Sequence, residues 1–189
     1  MSRPVRALSD LATLRALGHP RRRRILEHLT RHGPATSATL ARALDLNTGA
    51  TSYHLRELAA HGFVAELPER ATGRERWWRA VPADLRFPPR GEQDPQTRAV
   101  VDEMNRLAFA DDLAEYAAAQ LAATGEWVDG FPFSRGTIQV SVSQLAAFFE
   151  EYVALLNRYQ QPPGTPGTRP VLTRFLAFPA PPAEAGEPA

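Results

Sequence analysis

The stretch Thr51–Val64, TSYHLRELAAHGFV, carries the pattern that decides the fold. Leu55 and Leu58 are three residues apart, so both lie on one face of a helix. Gly62 is typical of the residue that ends such a helix. The pattern predicts a polar outer face near the helix start, made of Thr48, Thr51, Ser52, Tyr53 and Arg56.

Three further helices are predicted before this stretch. Leucines at every third position indicate a short helix over residues 9–17, starting at Ser9. The next helix runs from Pro20, which suits a first helical turn, to a left-handed stop at Gly33. A Ser37 cap predicts the third, with an inward face of Leu40, Ala43 and Leu44.

The third helix ends in a short turn, residues 45–47, and the next helix begins near Asn47 or Thr48. Two helices joined by so short a turn form a helix-turn-helix. Hydroxyls, an aromatic ring and an arginine on the second helix suit the reading of base edges and phosphates in a major groove. The alternative is an ordinary solvated helix face.

A β-hairpin is predicted after the helices. FVAEL (63–67) alternates as a strand, PERATG (68–73) is a loop, and RERWWRA (74–80) is a returning strand. Arg70, Arg74 and Arg76 would bring positive charge over phosphates or into a minor groove. An ordinary polar hairpin remains the alternative.

The order of these elements resembles the winged helix-turn-helix of the ArsR/SmtB family of bacterial transcriptional regulators. LRALGHPRRRRIL (14–26), ATLARAL (38–44), TSYHLRELAAHGFV and GRERWWRA (73–80) carry the resemblance, which covers roughly residues 8–80. It implies that the polar face of the second helix reads DNA, with His54 at a position where the family also has a histidine. Arg22 and Arg24 occupy usual polar positions of the family's first motif.

Charge divides the chain into two halves. Residues 1–90 hold 16 arginines and 8 acids, whereas residues 91–189 hold 6 arginines and 13 acids. A basic half in a chain of net charge +1 is typical of a polyanion-binding protein. A solvated basic face is the alternative.

Composition excludes several other classes. Hydrophobic residues make up 43% and charged residues 23%, which indicates a folded chain. There is no long apolar run and no secretory signal, so we expect a cytoplasmic protein that does not enter a membrane. Catalytic motifs such as HExxH, GxSxG or a Walker loop are absent, which predicts that the chain is not an enzyme.

The resemblance raises the question of metal sensing, because many family members bind metals. This chain has no cysteine, and its five histidines all lie at or before His61. His28 and His32 are four residues apart on one helix, a spacing that suits a metal, yet no third ligand is evident. We predict no metal and no cofactor.

The second half of the chain is predicted to form a small α+β domain behind a linker, residues 81–93. Asp94 and Pro95 start a long helix that ends near Thr124, and its length suits pairing with a second copy. Folding back on its own domain is the alternative. A strand (136–140), a capping-box helix (141–160) and a strand that pairs with the first (171–178) follow.

Several aromatic side chains in this half would suit a small-molecule effector pocket. The alternative is that they are plain core. The candidates are Trp127, Phe131, Phe133, Phe149 and Tyr152.

Together these features predict a mainly α (α+β) protein with three parts. They are a winged helix-turn-helix over residues 1–80, a dimerisation and effector domain over 94–178, and a disordered tail over 179–189. We expect a homodimeric regulator, a repressor, on a pseudo-palindromic site in double-stranded DNA. A protein-interaction module that docks through a winged helix is the alternative. The predicted DNA contacts are Arg22, Arg24, Asn47, Thr48, Thr51, Ser52, Tyr53, His54, Arg56, Arg70, Arg74 and Arg76.

Overall fold

In the computed structural model, residues 4–71, 75–162 and 165–181 are described. These residues form six α-helices and five short strands, which confirms a mainly α protein with a small sheet. Two of the helices, in the second half of the chain, are much longer than most of the others. The elements are β1 (Val5–Ala7), α1 (Leu11–Gly18), α2 (Pro20–His32), β2 (Ala35–Thr36), α3 (Ser37–Leu44), α4 (Thr48–Ala60), β3 (Val64–Glu66), β4 (Trp77–Ala80), β5 (Asp84–Arg86), α5 (Pro95–Ala122) and α6 (Val142–Tyr159).

Side-chain caps set the starts of the first helices. The carboxylate of Asp10 accepts the Thr13 N–H at 2.8 Å and so begins α1, one residue after the predicted Ser9. Thr36, not the predicted Ser37, caps α3, because its hydroxyl accepts the Thr39 N–H at 3.2 Å. Gly33 ends α2 with φ of 83°, a left-handed conformation that favours glycine.

The wing is built on a three-stranded antiparallel sheet in the order β2-β4-β3. Val64 pairs with Ala80, and Glu66 pairs with Trp78. Trp78 is buried in the core while its neighbour Trp77 is only half-buried, as strand alternation requires. The hairpin predicted from the sequence is therefore present.

The amino-terminal part has one continuous core made by α1 to α4, the sheet and the start of α5. Leu14, Ile25, Leu40, Leu55 and Leu58 are all completely buried. Ala43, predicted to face inward on α3, is exposed, and Ala41 takes the buried position instead. The reason is that α3 presents Leu40 and Ala41 to the core, and Ala43 lies outside that face.

The segment predicted as a linker, residues 81–93, contains regular structure. Its strand β5 pairs in parallel with β1, so that Val5 lies opposite Asp84 and Ala7 opposite Arg86. The backbone N–H of Leu8 also donates to the Arg86 carbonyl at 2.8 Å. This two-stranded ribbon ties the connection to the amino terminus before α5 begins.

Helix α5 starts at an Asp94 cap and runs for 28 residues. It meets α1 closely, since a side-chain carbon at Gly18 would lie 2.8 Å from the Met104 Cγ and would displace the Met104 side chain. Beyond Val101, however, no hydrophobic side chain among the described residues is fully buried. None of the described helices is long and apolar enough to cross a membrane.

The two strands predicted in the second half are wrong. Residues 136–140 and 171–178 have no strand structure, although α6 begins at the predicted capping box of Ser141 and Gln144. Phe175 instead packs its ring against Phe149 and Tyr152 of α6, with ring centroids 5.5 Å and 4.8 Å away. Aromatic packing on a helix thus takes the place of strand pairing.

Candidate nucleic-acid interface

Helix α4 presents a polar face at its amino-terminal end. Asn47 caps the helix, its side-chain oxygen accepting the Gly49 N–H at 2.8 Å. Thr48, Tyr53 and Arg56 are exposed, with Tyr53 showing 50% of its surface. The Asn47 cap holds the Gly49 and Ala50 N–H groups, and the helix dipole adds a partial positive charge at this end that favours a phosphate.

Thr51, predicted on this face, and His54, predicted as a DNA contact, both point inward. Thr51 is completely buried, and its hydroxyl donates to the Asn47 carbonyl at 2.9 Å. His54 is 6% exposed and lies against His19, with ring centroids 4.8 Å apart. The physical reason is helical spacing, because Thr51 lies four and seven residues before Leu55 and Leu58 and shares their face.

The environment of His54 keeps its ring neutral. Burial lowers the pKa of His54, and the neighbouring His19, Arg22 and Arg21 lower it further, whereas Glu57 opposes the shift. Burial followed by Arg22 and Arg21 also lowers the pKa of His19. His54 therefore packs beneath α4 in an environment that favours its neutral ring.

A polar hollow of about 300 Å³ lies between α3, α4 and β4. Ser52 and Arg56 enter it from α4, and Arg76 enters it from the wing side. Arg76 also donates to a Glu66 carboxylate oxygen at 2.9 Å. Ser37 lines the same hollow and was missed as a site residue, because its predicted role as a helix cap concealed it.

The wing carries a further exposed arginine outside the lining of this hollow. Arg70 ends a 3₁₀ turn, Pro68–Arg70, and is exposed. Its guanidinium lies over the Trp77 ring, 5.8 Å from the ring centroid. Arg74 lies outside the described residues.

Arg22 and Arg24, both predicted as DNA contacts, bind backbone carbonyls in the folded chain. Arg22 donates to the carbonyls of Ala16 and Arg15, the latter at 2.9 Å. Arg24 donates to the Leu44 carbonyl at 3.0 Å. Both guanidiniums therefore hold the ends of α1 and α3, where cations offset the helix dipole. Only Arg24 is exposed as well.

The histidine pair on α2 does not extend to a metal site. His28 and His32 have ring centroids 4.6 Å apart. Within residues 4–71, 75–162 and 165–181, no three histidines or acids are grouped so that they could hold a metal.

The five aromatic residues predicted to form one effector pocket lie in separate places. Phe149 and Tyr152 surround Phe175, whereas Phe131 packs on Tyr116 at 5.8 Å between ring centroids. Trp127 is covered by Arg169, and Phe133 is 72% exposed. The single aromatic pocket is therefore not formed, because Phe149 and Tyr152 lie on α6 whereas Trp127, Phe131 and Phe133 lie in the segment between α5 and α6 and have other neighbours.

A helix-turn-helix with a hairpin beside it and a polar, arginine-bearing second helix defines a winged helix DNA-binding domain. A family model described as a helix-turn-helix domain matches residues 17–66. This match confirms the predicted helix-turn-helix and agrees with the prediction that the chain is not an enzyme. The chain thus carries a DNA-binding domain of the kind found in transcriptional regulators.

Solved structures similar to this chain include proteins whose descriptions name the ArsR family. The homodimeric winged helix-turn-helix domain Mb0332 from Mycobacterium bovis, a possible ArsR-family regulator, is 21% identical and covers 53% of this chain and 76% of its own, with a TM-score of 0.34. A possible transcriptional regulator for arsenical resistance is 28% identical and covers 61% and 100%, with a TM-score of 0.33. Reduced HlyU from Vibrio cholerae is 22% identical and covers 51% and 85%, with a TM-score of 0.33. A comparison with curated protein sequences gave no match.

Proposed function

We propose that this protein is a homodimeric, sequence-specific transcriptional repressor that binds a pseudo-palindromic operator in double-stranded DNA. The observation that carries the proposal is the outward face of α4, where Thr48, Tyr53 and Arg56 are exposed and where Ser52 and Arg56 share a hollow with Arg76 of the wing. Acidic or apolar groups on this face would have favoured protein docking. A helix presenting this chemistry fits a major groove.

The residues of this face have separate tasks in the proposal. Arg56 and Ser52 contact base edges or phosphates, since their side chains enter the hollow between α4 and the wing. Tyr53 contacts the backbone or a thymine methyl group. Asn47 and Thr48 approach a phosphate at the start of the helix, and the wing adds Arg70, Arg76 and the sequence-predicted Arg74.

Dimerisation is proposed from the uncovered side of α5. A helix of 28 residues extends about 42 Å at 1.5 Å per residue, well beyond the core that ends at Val101. Leu113 is 71% exposed and Leu121 is 91% exposed, and Phe109 and Tyr116 are exposed beside them. An apolar stripe of this kind is typical of a helix that pairs with a copy of itself.

The two halves of the chain differ in charge, and we assign them different roles for this reason. Residues 1–80 form the proposed DNA-binding unit, and the acidic residues 94–178 form the proposed dimerisation unit, joined by the ordered segment 81–93. Two copies held through α5 would place two α4 helices in successive major grooves, about 34 Å apart. Occlusion of a promoter by such a complex is the simplest route to repression, and a cytoplasmic location accords with it.

A DNA-binding measurement on matched arginine variants tests the interface. We expect Arg56→Ala to weaken binding to the operator by about 1–3 kcal/mol if Arg56 reads a base. Arg158→Ala, at an exposed position on acidic α6, serves as the matched control and should leave affinity unchanged. Equal affinities of the two variants, titrated by fluorescence anisotropy on the mapped operator, would remove Arg56 from the interface.

Light scattering at several protein concentrations tests the dimer. Leu113→Asp puts a charge in the proposed α5 contact and should give a monomer, because an unpaired charge is costly in an apolar interface. Val5→Asp, at a 68% exposed position of β1, should remain a dimer. A monomeric parent protein would contradict the proposal directly.

A further inference from the structure

A cleft of about 440 Å³ separates the DNA-binding domain from α5. One wall is α2 with Leu26, and the opposite wall is α5 with Met104, Leu107 and Ala108. Leu172, in the carboxyl-terminal segment, lines the rim. A volume of this size with mostly apolar walls is in the range of small-molecule sites.

The charges around the cleft are balanced by ion pairs between its walls. Arg31 of α2 binds Glu115 of α5 through two contacts, one of them 2.9 Å long. Arg174 lies 2.6 Å from an Asp112 carboxylate oxygen. The third guanidinium, Arg23, contacts Asp111, and Glu27 is the fourth carboxylate of the group.

This balance discriminates against charged occupants. Each of the three guanidiniums that line the cleft is already paired with a carboxylate, and Glu27 adds a carboxylate to the lining itself. An anion therefore finds no unpaired guanidinium, and a cation would enter against three guanidiniums. Like charges without a partner in a partly dry site raise the free energy of binding. A neutral occupant leaves all three ion pairs in place.

One polar group in the cleft wall lacks a partner. The Nε–H of Arg23 is buried and makes no hydrogen bond within the described part of the chain. The nearest candidate, a Glu27 carboxylate oxygen at 3.8 Å, is too distant for a hydrogen bond. An arginine N–H only donates, so it requires an acceptor oxygen or nitrogen. Buried donors of this kind are normally satisfied.

We propose that this cleft binds a small, neutral, mainly apolar molecule whose carbonyl oxygen accepts the Arg23 Nε–H. Ketones, esters and lactones belong to this class. The apolar part lies among Leu26, Met104 and Leu107, and the carbonyl points towards α2. The site differs from the aromatic pocket predicted from the sequence, which the structure does not assemble.

The position of the cleft gives its occupant a means of control over DNA binding. Helix α2 contacts both α4 and the wing strand β4, whereas α5 carries the proposed dimer contact. A molecule held between α2 and α5 changes the distance between the two α4 helices of the proposed dimer. That distance determines whether both helices reach successive major grooves. Control of DNA binding by the occupant rests on the proposed function, whereas binding of the molecule in the cleft does not depend on it.

Binding is therefore measured on the full chain without DNA. The neutral probes are the carbonyl compounds 2-nonanone and acetophenone, and the charged analogues are nonanoate and nonylammonium. Calorimetry or ligand-observed NMR measures their binding. We expect at least one neutral probe to bind and both charged analogues to bind about tenfold more weakly or worse. Absence of binding by both neutral probes, or tighter binding of a charged one, overturns the proposal.

Two variants locate the bound probe. Ala108→Phe fills the cleft and should abolish binding, whereas Ala99→Phe, at an exposed position of the same helix, should retain it. Arg23→Met removes the donor while keeping an apolar side chain, and should weaken neutral carbonyl binding about tenfold. Full binding by both Ala108→Phe and Arg23→Met places the probe elsewhere and refutes the site. Operator binding by the parent chain, measured separately, distinguishes this failure from failure of the proposed function.

Discussion

Thr51 and Ser52 are adjacent residues with hydroxyl groups in opposite environments, and this contrast allows a paired prediction. Thr51 is completely buried and donates to the Asn47 carbonyl at 2.9 Å, whereas Ser52 lines the polar hollow beside the wing. Thr51→Val keeps the shape and removes one internal hydrogen bond. Ser52→Ala removes a hydroxyl that the folded protein does not need for its core.

The expected size of each effect follows from these contacts. Thr51→Val should lower the free energy of unfolding by about 1 kcal/mol, the usual net value of one hydrogen bond. The loss is limited because the Asn47 carbonyl keeps the Thr51 backbone N–H at 2.9 Å. Ser52→Ala should leave stability within about 0.5 kcal/mol and weaken operator binding by about 1 kcal/mol, close to fivefold.

Urea unfolding and fluorescence anisotropy on the operator measure the two quantities on the same preparations. We expect Thr51→Val to change stability and Ser52→Ala to change DNA affinity. If Thr51→Val lost operator affinity at full stability while Ser52→Ala bound normally, the orientation of α4 deduced here would be wrong.

Two other predictions concern charge. Arg70→Ala should weaken binding evenly across DNA sequences and reduce the slope of log affinity against log salt by about one, because Arg70 on the wing is proposed to contact a phosphate. Titrations at several salt concentrations measure this slope, and an unchanged slope would argue against the contact. Acidification from pH 7.5 to 5.5 should lower the urea midpoint, since the lowered pKa of His54 means that the unfolded chain binds a proton more readily than the folded chain does. The stability that His54 contributes is present above its unfolded pKa, about 6.5, and is lost as the pH falls towards the folded value. His54→Gln should show a smaller decrease, and an equal decrease would assign the pH effect to other groups such as His19, whose pKa is also lowered.

The starts of α4, α5 and α6 could be predicted because local signals determine them. Asn47 caps α4, Asp94 and Pro95 start α5, and the Ser141 capping box starts α6, all within a few residues of the groups they satisfy. Such caps act through neighbouring backbone N–H groups, so sequence alone contains the information.

The partners of the arginines could not be predicted in this way. Arg22 binds the carbonyls at the end of α1, and Arg24 reaches the Leu44 carbonyl twenty positions away, contacts that depend on how the helices pack. The inward position of Thr51 was available from the sequence, since it shares the spacing of Leu55 and Leu58. The polar hydroxyl of Thr51 led to its prediction as an outward residue.

The second half differed most from expectation because strands depend on partners distant in the chain. Residues 136–140 have strand composition, but α6 draws Phe175 into its aromatic cluster, so no second strand lies beside them. The composition of a segment indicates that it could join a sheet, but it does not show that a partner strand is present. The same limit applies to the predicted aromatic pocket, whose members have suitable chemistry but separate positions.

Footprinting on the DNA upstream of the protein's own coding region tests the central claim most directly. At low salt, the purified chain should protect two half-sites whose centres are about ten base pairs apart, one for each α4 helix of a dimer. Failure to protect any site in that region or in a pool of genomic fragments would contradict the account.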